Sequence, residues 1–245
     1  MNEKIIKLNE LIKSAKKIVF FGGAGVSTES GLLDFRSEKG LYNLKSKYGV
    51  PYEVILSHSY YEYKPETFYS FYREFMIDTK VKPNYAHEYL AKLEKQKQVT
   101  IITQNIDGLH QIAGSKNVIE LHGSIHRNYC EGCARFYTLE DILKMDNVPV
   151  CPICGHRIKP DVVLYEEPLN ELAITKAMIA LQEADLLIIA GTSLKVWPAA
   201  SFINYFYGDN IVVINKEELE INRKIKLQIN EKIGEVFKKI DELNK

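Results

Sequence analysis

Near the start of the chain, Ile5, Leu8, Leu11, Ile12 and Ala15 recur at helical spacing with lysines and glutamates between them, which predicts an amphipathic packing helix over residues 3–15. Short β-branched or aromatic runs follow at residues 17–21, 99–103, 117–121, 185–190 and 210–214, each strand-sized. Helical patterns lie between or after them, at 86–97, 170–182, 198–207 and 231–243. Buried strands that alternate with helices predict a parallel sheet covered on both faces, a doubly wound α/β fold.

Two segments break this rhythm. Residues 37–82 carry Tyr60, Tyr61, Tyr63, Phe68, Tyr69, Phe71, Tyr72 and Phe75 with no clear strand, and read as a helical insertion. Residues 125–159 contain all four cysteines. The expected organisation is a main domain of residues 1–36, 83–124 and 160–245, a helical module of 37–82 and a metal-binding module of 125–159. No fixed-period repeat or low-complexity tract separates them.

A chain of 245 residues that is 46% hydrophobic can bury a sizeable core. Its 32 basic and 32 acidic residues balance, so no net field draws it to nucleic acid or an anionic membrane, and direct nucleic-acid binding is not expected. The apolar run at 18–21 is too short for a signal-peptide core, and no run reaches the roughly 18–20 residues that span a bilayer. A cytoplasmic protein without a membrane partner is the expectation.

In open parallel sheets, ligands gather beyond the carboxyl ends of the strands. Five predicted strands end in polar or glycine-rich turns: Gly22-Gly23-Ala24-Gly25-Val26-Ser27, Gln104-Asn105-Ile106-Asp107, Glu120-Leu121-His122-Gly123-Ser124, Gly191-Thr192-Ser193, and Asn215. Gly23 and Gly25 let backbone N–H groups approach a phosphate, and the start of a following helix would favour its charge, which suits a dinucleotide. A plain tight turn accounts for these glycines equally well. The spacing is not a full G-x-G-x-x-G, and no acidic residue follows at the distance an ordinary NAD dehydrogenase needs. No ATP-type phosphate loop is present either.

Cys130-x-x-Cys133 and Cys151-x-x-Cys154 lie seventeen residues apart. Two such knuckles supply four thiolates, a closed tetrahedral set suited to a structural Zn²⁺. Unligated core cysteines, an iron–sulfur cluster and a redox disulfide are the other readings. Of the six histidines, His58, His87, His110, His126 and His156 suit surface or core positions. His122 directly follows a predicted strand and precedes Gly123, so its ring can face the crevice and take a proton. Asn105 and Asp107, on the neighbouring loop, can orient or polarise a small reactant.

Taken together, these motifs resemble the sirtuins, the NAD-dependent protein deacylases of silent-information-regulator type. The resemblance runs through Gly22-Gly23-Ala24-Gly25-Val26-Ser27, Gly31-Leu32-Leu33-Asp34-Phe35-Arg36, Thr103-Gln104-Asn105-Ile106-Asp107-Gly108-Leu109-His110, Leu121-His122-Gly123, the two cysteine pairs, Lys159-Pro160-Asp161-Val162-Val163-Leu164-Tyr165, and Gly191-Thr192-Ser193-Leu194 with Pro198-Ala199-Ala200. It implies a Rossmann-like domain with a small zinc-ribbon module and a helical insertion. NAD would be a co-substrate, and an acyl-lysine protein or peptide its partner in the reaction. It further implies that the acyl oxygen attacks the ribose carbon bearing nicotinamide, and that His122 then deprotonates a ribose hydroxyl, giving free lysine and an O-acyl-ADP-ribose.

Residue by residue, the resemblance assigns His122, Asn105 and Asp107 to catalysis. Ala24, Gly25, Thr28, Phe35, Arg36, Gln104, Asn105, Ile106, Asp107, His122, Gly191, Thr192, Ser193 and Asn215 would surround the cofactor. Val163, Leu164 and Tyr165 would flank a peptide strand on one side, with Leu194, Lys195 and Val196 on the other, which is β-augmentation with broad substrate tolerance. The chain departs from the family pattern at Leu33, where proline is usual, and at Glu166, Lys195 and Trp197; Glu166 and Lys195 bring charge to the peptide cleft. Members that remove acidic acyl groups carry Tyr-x-x-Arg, whereas Tyr69-Ser70-Phe71-Tyr72-Arg73 places the arginine one position late, about 100° round a helix. Neutral acyl groups are therefore expected. Mono-ADP-ribosyl transfer and a non-catalytic NAD sensor are the alternative functions.

Overall fold

The structure, a computed structural model, describes residues 3–33 and 48–245. Among them run nine strands: β1 (Lys17–Gly22), β2 (Gln98–Thr103), β3 (Val118–Glu120), β4 (Gly123–Cys130), β5 (Phe136–Thr138), β6 (Ile158–Val162), β7 (Leu186–Ala190), β8 (Ile211–Ile214) and β9 (Leu227–Ile229). Six form a parallel sheet in the order β3-β2-β1-β7-β8-β9, and three form an antiparallel sheet in the order β5-β4-β6. The chain works outward from β1 to β3, then returns to the other side of β1. That reversal leaves a crevice above the carboxyl ends of β1 and β7.

Alternation along the strands fills two cores. Ile18, Phe20, Ile101 and Ile188 pack under the helices Glu3–Ser14, Tyr85–Glu94 and Ile233–Leu243, with Leu8, Leu90 and Phe237 fully buried among them. Val19, Phe21, Leu187 and Ile189 pack on the opposite face against helix Glu171–Glu183, through Leu181, and against Phe202 and Ile203. All five residues of β7 are buried, as expected of a central strand covered twice. No helix among the described residues is long and apolar enough to cross a membrane.

The five predicted strands and four of the predicted helices appear close to their expected places. Residues 198–207, expected as an α-helix, instead carry a 3₁₀ helix over Ala199–Tyr205, where the Ser201 hydroxyl bonds back to the Pro198 carbonyl at 2.7 Å. β9 was not anticipated: its inward pair, Leu227 and Ile229, is too short a pattern among charged neighbours to read. The helix start expected after β1 is replaced by two single 3₁₀ turns, Ala24–Val26 and Thr28–Ser30.

The aromatic insertion folds into short helices, Tyr52–Ile55, His58–Tyr63 and Pro65–Phe71, continued by a π turn at Tyr72–Met76. Tyr61, Phe68, Tyr69, Phe71 and Tyr72 bury one another together with Ile125, Val162 and Leu164, so this core is shared with the antiparallel sheet.

That sheet begins one residue after His122. Gly123 pairs with Val162 at φ +77°, and a β-carbon there would lie 1.9 Å from the Asp161 carbonyl oxygen. Gly123→Ala must therefore part β4 from β6 as well as strain the backbone. We expect it to lose at least about 2 kcal/mol of stability in urea unfolding; a variant within about 0.5 kcal/mol of the parent would contradict this packing.

Candidate active site

At the crevice, the turn after β1 meets the turn after β7 backbone to backbone. Gly25 N–H donates to the Gly191 carbonyl at 2.8 Å, and Gly23 N–H to the Ala190 carbonyl at 3.1 Å. A β-carbon on Gly25 would meet the Gly191 Cα at 2.7 Å, and one on Gly191, at φ +60°, would meet the Val26 nitrogen at 2.5 Å. These glycines thus bring two loops together, which is a structural requirement independent of any ligand. The loop is also tied to two helix starts: Glu29 accepts the Gly234 N–H at 2.9 Å, and the Asn84 amide donates to the Val26 carbonyl at 2.7 Å.

Over this platform lies a chain of polar side chains. Asn105 Nδ2 donates to Ser27 Oγ at 3.0 Å, and Ser27 Oγ donates to Asp107 Oδ2 at 2.7 Å. The other Asp107 oxygen accepts the Leu109 N–H at 2.9 Å, which fixes the carboxylate. Ser27 is buried and central to the chain, yet sequence reasoning gave it no role. Its only signal was a polar residue closing the glycine turn. Gln104 Nε2 reaches Thr192 Oγ1 at 3.2 Å, joining the ends of β2 and β7 across β1.

His122 is half-buried at the end of β3, with Nδ1 2.9 Å from the Gln104 carbonyl oxygen. A carbonyl only accepts, so Nδ1 carries the hydrogen and Nε2 is left with its lone pair. Burial holds the imidazolium below its ordinary range, although the Gln104 carbonyl opposes this. The result is a neutral base of defined tautomer beside the crevice.

The remaining predicted residues fall as follows. Ala24, Gly25, Thr28, Ile106 and Asn215 are half-buried at the strand ends, Thr192 is buried and Ser193 exposed. Phe35 and Arg36 lie outside the described residues. Val163 N–H bonds to the His122 carbonyl at 3.0 Å, and Tyr165 is tied to the helical insertion through Leu56 and His58 at 3.0 and 2.9 Å. Leu194 and Val196 are half-buried and Lys195 is exposed. Beneath Asp107, His87 and His110 form a buried pair with ring centroids 4.6 Å apart. His87 Nδ1 accepts the Asn84 N–H, while His87 Nε2 and both His110 nitrogens have no hydrogen-bond partner among the described residues. Burial lowers His87 to about 4, against the pull of Asp107, and His110 to about 3.

The four cysteine sulfurs all lie within 4.8 Å of one another, with Cys130 to Cys154 at 3.3 Å and Cys133 to Cys151 at 3.8 Å. A tetrahedron with Zn–S near 2.3 Å needs sulfurs about 3.8 Å apart, so the set fits zinc. The two knuckles repeat one hydrogen-bond pattern: Cys130 N–H to Arg135 O and Ala134 N–H to Cys130 O, then Cys151 N–H to His156 O and Gly155 N–H to Cys151 O. Ala134 and Gly155 take the same left-handed place, at φ 56° and 77°.

A model described as the Sir2 family matches residues 23–198. A Clostridium tetani protein named NAD-dependent protein deacetylase is 55% identical over 232 residues, covering 94% of each chain. Among solved structures, a Sir2 with a deacetylated p53 peptide and 3′-O-acetyl ADP ribose superposes with a TM-score of 0.88 at 35% identity, covering 98% of each chain. A Sir2 with a p53 peptide and NAD⁺ gives 0.86 at 35% identity, covering 100% of this chain and 99% of the other.

The buried histidine pair makes stability depend on pH. Unfolded imidazole titrates near 6.5, above both native values, so between roughly pH 6.5 and 4 the unfolded chain binds more protons. Stability should fall as pH drops through that window, read as a falling urea midpoint. In His110→Leu the fall should be shallower; an unchanged slope would remove the pair from acid sensitivity.

Proposed function

The chain belongs to the Sir2 family, and on that premise we propose that its site works as an NAD-dependent protein-lysine deacetylase in which His122 is the base. The observation that carries the assignment of the base is the His122 Nδ1–Gln104 carbonyl bond, which leaves Nε2 unprotonated at the crevice. NAD, when bound, supplies an ADP-ribosyl acceptor for the acyl group and gives up nicotinamide. The half-buried polar strand ends at the β1–β7 crevice suit it, and the lack of an acidic residue about 20 positions after the glycine turn agrees with a co-substrate rather than a hydride carrier.

His122 Nε2 accepts the proton of a ribose hydroxyl. Asn105, held by Ser27, fixes a small polar reactant, and Asp107, held by Ser27 and the Leu109 N–H, presents a carboxylate of fixed orientation. Ala24, Gly25, Thr28, Gln104 and Ile106 contribute to the cofactor's near side, and Gly191, Thr192, Ser193 and Asn215 to its far side; Phe35 and Arg36 are assigned to the cofactor from the sequence alone. The acyl-lysine peptide adds as a strand between Val163, Leu164 and Tyr165 and Leu194, Lys195 and Val196. Residues 1–36, 83–124 and 160–245 act as the NAD-binding unit, with 37–82 and 125–159 as the two modules. We place the enzyme in the cytoplasm.

The acyl group is neutral. Tyr69 donates its hydroxyl to the Ile158 carbonyl at 2.6 Å, and Arg73 donates to the carbonyls of Ile142 at 2.9 Å and Asp146 at 2.8 Å. Both polar ends are engaged in holding the zinc module, which supports their unavailability to an acidic acyl chain.

Mass spectrometry of a lysine peptide incubated with the enzyme and NAD tests the whole reading. Acetyl-peptide should yield free lysine, nicotinamide and O-acetyl-ADP-ribose together, with succinyl-peptide at least ten-fold slower. His122→Ala should bind NAD yet lose at least about 10²-fold in turnover. Nicotinamide without any loss of acetyl would point to ADP-ribosyl transfer instead, and faster desuccinylation would overturn the neutral-acyl assignment.

A further inference from the structure

The zinc ligands are not alike in their surroundings. Cys130 and Cys151 are buried and Cys133 and Cys154 exposed. Beside the buried Cys151, Tyr137 turns inward from the middle residue of β5, between the outward Phe136 and the half-buried Thr138, and is itself buried. Its hydroxyl oxygen lies 3.0 Å from Cys151 Sγ. Ile142, Ile158 and Cys130 complete the same small core, so water has little access to that bond. Cys130 has a weaker counterpart, the Cys133 N–H at 3.5 Å from its sulfur.

A metal-bound thiolate has no hydrogen to give, so the only direction open is from the phenol O–H to the sulfur. Four thiolates around one Zn²⁺ leave two surplus negative charges, and a buried donor draws electron density from the sulfur it touches. We propose that Tyr137 is a positioning residue of the zinc site, holding Cys151 as a bound thiolate and slowing release of the metal. It does not touch zinc itself. It also ties β5 to the second knuckle, and β5 pairs with β4, whose first residue follows His122.

The test uses the full-length, metal-loaded protein. Partners of this kind are worth about 10–100-fold in metal affinity, so Tyr137→Phe should release zinc to a chromogenic chelator about ten-fold faster or more. Tyr129→Phe, on the exposed side of the same sheet, should match the parent. In the cobalt-substituted protein, Tyr137→Phe should move the sulfur-to-cobalt charge-transfer band to lower energy, because a thiolate without its donor is easier to oxidise. Packing alone would leave that band in place. Equal release rates with an unshifted band would overturn the proposal. Should Tyr137→Phe fail to fold, the ¹¹³Cd-loaded parent decides: a correlation from the Tyr137 hydroxyl proton to cadmium supports the bond. Its absence while the Cys133 amide correlation is visible would refute it.

Discussion

Everything at the crevice depends on the contact between Gly25 and Gly191. Parallel pairing sets Gly22 beside Thr103 on one side and Ala190 on the other, so the turns after β1 and β7 leave the sheet at the same height. They can share that space only if neither carries a side chain, and a β-carbon on either would strike the other's backbone. With the loops locked together, Ser27 is carried in between Asn105 and Asp107, and Gln104 reaches Thr192. Each of those bonds joins segments far apart in the chain, and none could form around a bulkier turn.

From Gln104 the order passes to His122, the proposed base. The Gln104 carbonyl fixes the tautomer of His122, and the next residue begins β4, which runs, with a register shift against β6 between Ser124 and Asn128, to the first of the four cysteines, Cys130. The cysteine module therefore bears on His122 through two paired strands, β4 directly and β6 through the Val163 N–H on the His122 carbonyl, with Gly123 packed against Asp161 between them. The helical insertion closes the third side by sharing its aromatic core with Ile125, Val162 and Leu164 and by lending Tyr69 and Arg73 to carbonyls of the zinc module. Family membership explains why such parts recur together. The physics explains why they depend on one another.

Much of this could be read from the sequence, and the reasons are local. Strands such as Leu186–Ala190 are buried on both faces, so an unbroken apolar run betrays them, and the cysteine spacing declares a four-sulfur site. The segment at Ala199–Tyr205 was read as helical but its 3₁₀ form was not, and the three-residue β9 escaped, because neither has enough length for its periodicity to differ from its rivals. The glycines of the first turn were read toward a phosphate or as a plain tight turn, while the structure shows Gly25 answering first to Gly191 of the turn after β7. Ser27, Glu29 and Asn84 were invisible as organisers, since a hydrogen bond across 80 or 205 residues leaves no mark on the local pattern. For Phe35 and Arg36, which lie outside the described residues, the sequence remains the only statement.

The central claim is that a half-buried, neutral His122 presents a free Nε2 because its Nδ1–H is held by the Gln104 carbonyl. Two-bond ¹H–¹⁵N correlation spectra of the full-length protein with ¹⁵N-labelled histidine, assigned by loss of one ring in His122→Ala, read this state directly. The expected spectrum has a protonated, pyrrole-type Nδ1 and an unprotonated, pyridine-type Nε2 at pH 7, persisting below the ordinary imidazole midpoint near 6.5. An Nε2–H tautomer, or an imidazolium at pH 7, would contradict it.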